Sequence, residues 1–133
     1  HVDNVACFAG PGRVLAAVCS DEKDPDHAPL AANLEVLKGE TDAQGRALEV
    51  VAVEQPKPRK GDDGERLAAS YINFYLANGG VIVPSFDDPN DGKAFEAIAG
   101  CFPKRKAVEV PAGSIVRGGG GIHCITQQEP AVD

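Results

Sequence analysis

From Gly12 the chain reads "GRVLAAVCSDEKDPDHAPLAANLEVL", and from Gly80 it reads "GVIVPSFDDPNDGKAFEAIAGCF". Each passage opens with small and β-branched apolar residues, passes through an acidic, proline-containing turn, and ends in an Ala-rich stretch with apolar residues at roughly i, i+3, i+4. That order predicts a strand, a turn and an amphipathic helix. Slid back by 67 positions, Val81 falls on Val14, Asp88 on Asp21 and Asp91 on Asp24.

The flanks repeat too. "HVDNVACFAG" and "SYINFYLANG" are strand-like runs that close on glycine, and "ALEVVAVEQ" and "KAVEVPAG" supply a further strand after each helix. The pattern predicts two strand-strand-helix-strand units, at about 1–53 and 67–117. Between them "EQPKPRKGDDGER", at about 54–66, has turn residues and mixed charge without apolar periodicity and reads as a surface connection. Repeats of this kind bury their apolar faces against neighbouring repeats, so two alone predict an incomplete set.

Composition narrows the class. The 133 residues are 43% hydrophobic, enough for one domain with a modest core. Twenty acidic against thirteen basic residues give a net charge of −7, which argues against nucleic acid as the partner. The same field suits a cationic small molecule, or serves solubility alone; both readings stay open. The chain contains no Met and starts at His1, which predicts a processed chain or a piece of a longer one. Cys7, Cys19, Cys101 and Cys124 stand singly without C-x-x-C spacing, and no run of eighteen apolar residues occurs. A soluble protein of a reducing, cytoplasmic compartment, away from membranes, is expected.

Two places could carry chemistry. If "HVDNVACF" is a strand, His1 and Asp3 project from one face about 7 Å apart, an imidazole beside a carboxylate. They form either a proton-handling, cation-gripping pair or a plain strand end. The other place is "RGGGGIHCITQQ", residues 117–128. Four glycines lose much entropy on ordering, which fits close backbone approach or amides aimed at a developing charge beside a reactive Cys124. A flexible turn before a buried structural cysteine is the other reading. The phosphate-loop pattern is missing, and His123 and Cys124 have no partners at zinc-ligand spacing. A lone cysteine here also lacks the local signatures of thiol proteases. On a strand His123 would point away from Cys124, which makes His1 the expected base.

Taken together, "HVDNVACF", "RLAASYINFYLANGGVIVPSFDD" and "GGGGIHCITQQEP" closely resemble the C-terminal part of the agmatine deiminases, within the guanidino-group-modifying enzymes of pentein fold; the likeness runs from His1 to about Pro130. The resemblance implies an α/β fold, a fragment of a five-bladed α/β-propeller with about two of five units plus a catalytic Cys strand. It makes Cys124 the nucleophile, His1 the general acid and base, and Asp3 a carboxylate on the guanidinium, with Gly119, Gly120 and Gly121 against the substrate. It implies hydrolysis of agmatine to N-carbamoylputrescine and ammonia through an amidino-cysteine, with no cofactor and no metal.

The family carries further guanidinium-binding carboxylates in N-terminal modules before the H-x-D strand, and this chain does not include them. The implied partners are therefore the remaining N-terminal portion and a cationic guanidine; a homo-oligomer stays open. The 133 residues alone are expected to be inactive or nearly so. Two rivals are a deiminase of arginine or another guanidine, and a non-catalytic module of the same fold like that of a ribosome-associated anti-association factor.

Overall fold

Two glycines turn the chain back on itself. Gly12, after Pro11, and Gly79, after Asn78, have φ of +72° and +71°, a backbone region that other residues enter only with strain. Each closes a hairpin. The computed structural model describes residues 1–130; positions 131–133, which the expected single domain includes, lie outside the described residues.

The elements in order are β1 (Ala6–Gly10), β2 (Arg13–Val18), α1 (His27–Gly39), β3 (Glu49–Glu54), β4 (Tyr75–Ala77), β5 (Gly80–Ser85), α2 (Asp91–Cys101) and β6 (Lys106–Pro111). They form two three-stranded sheets, β1-β2-β3 and β4-β5-β6. In each, the first pair is antiparallel across its hairpin and the second is parallel. Parallel neighbours need a long crossover, and each helix provides it. The parallel pairs start alike: Arg13 pairs with Glu49, and Gly80, 67 positions after Arg13, pairs with Lys106, 57 positions after Glu49. The sheets stay separate, and among the described residues no ring of strands closes.

The acidic turns have a local cause. Asp21 Oδ1 accepts the Lys23 N–H, and Asp88 Oδ1 accepts the Asn90 N–H, both at 3.0 Å, so each turn is pinned by its own side chain before the helix begins. Asp91 takes the Phe86 and Asp88 amides and the Tyr71 hydroxyl, while Asp24 takes the Asp26 amide and a two-pronged ion pair from Arg66. His27 Nδ1 meets the Cys19 carbonyl at 2.6 Å and ties the start of α1 to the end of β2.

The core lies between the sheets and α2. Leu15, Val53, Tyr71, Ile72, Val81 and Ile98 are buried in one cluster, and full burial of a side chain such as Ile98 stabilises by about 1.5–3 kcal/mol. The Tyr71–Phe86 and Phe74–Phe102 ring pairs sit 5.5 and 5.7 Å apart. α1 is less covered: Leu30, Leu34 and Leu37 form an i, i+4, i+7 stripe that is only half-buried.

Three expected strands differ. "SYINFYLANG" is extended only over Tyr75–Ala77, because residues 70–74 turn inward: Ser70 Oγ accepts the Ile72 N–H at 3.2 Å and donates to the Asn4 carbonyl at 2.8 Å. Val2–Asn4 is a 3-10 turn, so His1 and Asp3 are not on a strand; Asp3 and Asn73 meet there instead of feeding a ladder. The expected catalytic Cys strand is also a 3-10 turn, His123–Ile125. The connection at 54–66 is held down: the Lys57 N–H reaches Asp88 Oδ2, Arg59 reaches the Asp87 carbonyl, and Arg66 reaches Asp24.

Candidate active site

The turn at Asp3 and the turn at Cys124 face each other over Asn73. Cys124 Sγ donates toward Asp3 Oδ2 at 3.3 Å, and His123 Nδ1 lies 2.9 Å from the same oxygen. Asn73 Nδ2 is 3.3 Å from the sulfur and 3.3 Å from the Asp3 carbonyl oxygen. Its Oδ1 accepts the His123 N–H at 2.9 Å and the Cys124 N–H at 3.4 Å, so backbone donors settle which end of the amide is oxygen. Cys124 is exposed, and the Asp3 and His123 side chains are 22% and 42% exposed. The thiol is open to solvent, while its neighbours are partly covered.

Electrostatics favour an ionised Asp3. Burial works against its charge, but hydrogen bonds from His123, Cys124 and Asn73, with the His123 charge, outweigh it and hold the carboxyl below its ordinary value. Burial pushes the other three thiols, Cys7, Cys19 and Cys101, upward, with the Asp3 charge adding to the effect at Cys7. A raised thiol holds less of the nucleophilic thiolate at neutral pH.

The glycines permit the approach. A side-chain carbon on Gly121 would fall 2.4 Å from Asn73 Oδ1, and one on Gly120 would fall 2.8 Å from Cys124 Cβ and 3.1 Å from its sulfur. Both positions have room for hydrogen only. Gly119 has φ of +95°, which turns the chain out of the preceding 3-10 turn, whereas a side chain on Gly118 would meet open space.

Of the residues expected at the site, Asp3, Cys124 and the glycines come together. His1 is exposed at the start of its turn, and its carbonyl accepts the Asn4 N–H at 3.2 Å. His123, expected to face away, is the imidazole that meets Asp3. A 3-10 turn spaces successive side chains by about 120°, not the 180° of a strand, so neighbours reach one region. Asn73 was missed altogether. Its signal was there: one amide inside the apolar run "YINFYLA".

Two clefts lie elsewhere. One, of about 350 Å³, runs between α1 and the 55–59 and 66–70 segments and reaches Asn4, with the Asn4 Oδ1 and Arg59 Nε atoms buried there without partners. A second lies by Arg59, Phe86 and Arg117. Neither includes Cys124, which sits on open surface flanked by the exposed Val2 and Ile125.

The arrangement is an exposed cysteine thiol beside an ionised carboxylate and an imidazole, reached by a bare backbone. A planar cation suits such a site, because a carboxylate can hold its N–H edge while sulfur addresses the carbon.

Comparison with known proteins finds relatives across nearly the whole chain. The family model described as Porphyromonas-type peptidyl-arginine deiminase matches residues 1–130. A Streptomyces coelicolor protein named "Putative agmatine deiminase" is 50% identical over 130 residues, 98% of this chain and 38% of its own length. The solved agmatine deiminase of Enterococcus faecalis matches with a TM-score of 0.91 at 39% identity, over 98% of this chain and 40% of its own. A Porphyromonas gingivalis structure described as "Putative Arginine Deiminase" matches with a TM-score of 0.92 at 29% identity, over 98% of this chain and 38% of its own. The chain thus spans about 40% of the length of such relatives.

Proposed function

The chain belongs to the Porphyromonas-type peptidyl-arginine deiminase family, and on that premise we propose that it carries the nucleophile side of a guanidine deiminase whose substrate is agmatine. The observation that bears most weight is the convergence of Cys124 Sγ and His123 Nδ1 on Asp3 Oδ2, at 3.3 and 2.9 Å. Agmatine is favoured over other guanidines by the 50% identical relative and by the "IHCITQQ" run.

In the proposed reaction Asp3 accepts guanidinium N–H groups and fixes the plane of the cation. The Cys124 thiolate attacks the guanidine carbon, forming an S–C bond. One C–N bond then breaks, and the departing nitrogen leaves as ammonia after taking a proton from His1, the expected acid. The product on sulfur is an amidino-cysteine. Water, giving its proton to His1, attacks the same carbon; the S–C bond breaks and N-carbamoylputrescine leaves with the thiol restored. The chemistry calls for no metal and no organic cofactor.

We further propose that the site is completed by additional units of a propeller, as a partner portion of the same protein. Cys124 lies on open surface, Phe8 on the edge strand β1 is 60% exposed, and the helix stripe of α1 is half covered. Each is what an uncovered repeat face leaves behind. The 133 residues alone should then release ammonia from agmatine slowly or not at all.

The test is ammonia release from agmatine, arginine and a peptidyl arginine, by the 133-residue chain and by a chain extended to the length of its relatives. Agmatine turnover in the extended chain, lost in Cys124→Ala, supports the reading. Faster turnover of arginine or peptidyl arginine would favour the second reading, which the family description and the Porphyromonas gingivalis match suggest. Full agmatine activity in the 133 residues alone would overturn the completion proposal. Equal reaction of Cys124 with a haloacetamidine and its neutral amide counterpart would favour a non-catalytic module.

A further inference from the structure

Asn73 lies outside every hydrogen-bonded ladder of the two sheets, yet it is fully buried, between the buried Ile72 and Phe74. An amide is retained in such surroundings where its hydrogen-bonding capacity is used. Here both ends are. Oδ1 holds the backbone amides of His123 and Cys124, and Nδ2 faces the Asp3 carbonyl and the Cys124 sulfur. Its own carbonyl also accepts the His123 N–H at 3.2 Å.

We propose that Asn73 is the positioning residue of this site: it clamps the Cys124 turn onto the Asp3 turn and directs an N–H at the sulfur. The proposal rests on the deiminase reading and deepens it. Its physical need follows from charge. When Cys124 loses its proton, the sulfur carries a negative charge 3.3 Å from a carboxylate that is itself held ionised. Before a cationic substrate arrives, two anions that close repel each other. A neutral N–H donor 3.3 Å from the sulfur stabilises the thiolate without adding a charge that would compete for Asp3.

The clamp also explains Gly121. Its backbone passes so close to the amide that a methyl group there would overlap Asn73 Oδ1 and Cγ, at 2.4 and 2.8 Å. Other residue types fail in different ways. Aspartate keeps the shape but presents an acceptor to the sulfur, and leucine keeps the bulk but leaves the Cys124 amide without a partner and the His123 amide with the main-chain carbonyl of residue 73 alone.

The experiment measures second-order alkylation of each cysteine by iodoacetamide in the full chain, resolved by peptide mass spectrometry, from about pH 6 to 10. Wild type is compared with Asn73→Asp and Asn73→Leu. The expected result is Cys124 alkylation slowed about tenfold or more at neutral pH in both variants, with its pH midpoint moved upward. Cys19 and Cys101, half-buried and away from the turn, keep their wild-type rates and report an intact fold. A wild-type Cys124 rate in either variant overturns the proposal. So does faster labelling of all four thiols together, since that would mark Asn73 as a packing element alone. Failure of the deiminase reading shows separately: wild-type Cys124 would then react no faster with chloroacetamidine than with chloroacetamide, whatever Asn73 does.

Discussion

Cys124 and Asp3, 121 positions apart in the chain, meet at 3.3 Å between sulfur and carboxylate oxygen. Neither belongs to a strand or an α-helix. Each sits in a 3-10 turn at the entrance to or exit from a repeated unit, and the partner between them, Asn73, comes from the turn before β4. Their placement by three loops, each tied to the others by hydrogen bonds, governs what substitutions should do.

The glycines should divide sharply. Gly120→Ala and Gly121→Ala should each slow Cys124 alkylation about tenfold or more, because the new methyl displaces Cys124 in one case and Asn73 in the other. Gly118→Ala meets nothing within 4 Å and should label at the wild-type rate. Gly120→Val in an extended chain should cripple turnover more than it lowers melting temperature. Equal behaviour of the three alanine variants would mean that the loop does not rest on the site.

The two histidines should separate kinetically. In an extended chain His1→Ala should lower kcat by about 10²–10⁴, the usual loss of a general acid and base. His123→Ala removes a hydrogen bond to Asp3, the carboxylate proposed to hold the guanidinium, so its effect should fall mainly on KM. Steady-state kinetics with agmatine decide it. A collapse of kcat in His123→Ala with little change in His1→Ala would transfer the acid-base role to His123.

Thiol selectivity follows from burial. Cys7, Cys19 and Cys101 are all pushed upward by burial, whereas Cys124 is exposed beside a hydrogen-bond donor. Limited labelling with a haloacetamidine near neutral pH should therefore mark Cys124 first. Label found on Cys19 or Cys101 but never on Cys124 would remove the nucleophile assignment.

Acid stability should depend on Asp24. Hydrogen bonds from Arg66, opposed by burial and helped by the Asp26 amide, hold this carboxyl below its ordinary value of about 3.9. A lowered folded-state value means the contribution is fully present above that ordinary value and fades as pH falls through the lower one. Asp24→Asn should thus melt below wild type at neutral pH, and the gap should narrow below about pH 4. A gap of the same size at both ends of that range would show that the Arg66 ion pair contributes nothing that titrates.

Much of the backbone was legible in the chain. The β-branched runs, the acidic turns and the Ala-rich periodic stretches at 67-residue spacing correspond to β2, α1, β5 and α2, because propensity and burial act through near neighbours there. The start of "HVDNVACF", ahead of β1, and "GIHCITQQ" misled for the opposite reason. Both have the apolar content of strands, but their polar residues spend their hydrogen bonds on each other across more than a hundred positions, and the local backbone curls to let them. The alternation rule then placed His123 on the wrong side of Cys124.

The sequence by itself determined the residue types of the site, the glycines beside the thiol and the recurring order of strands and helices, because these are properties of composition and local pattern. Only the tertiary structure decided that Asp3 is shared by Cys124 and His123, that Asn73 joins them, and that Gly120 and Gly121 have room for no side chain. Those are contacts between distant segments, and the chain's local chemistry carries no record of which distant atoms will lie 3 Å away.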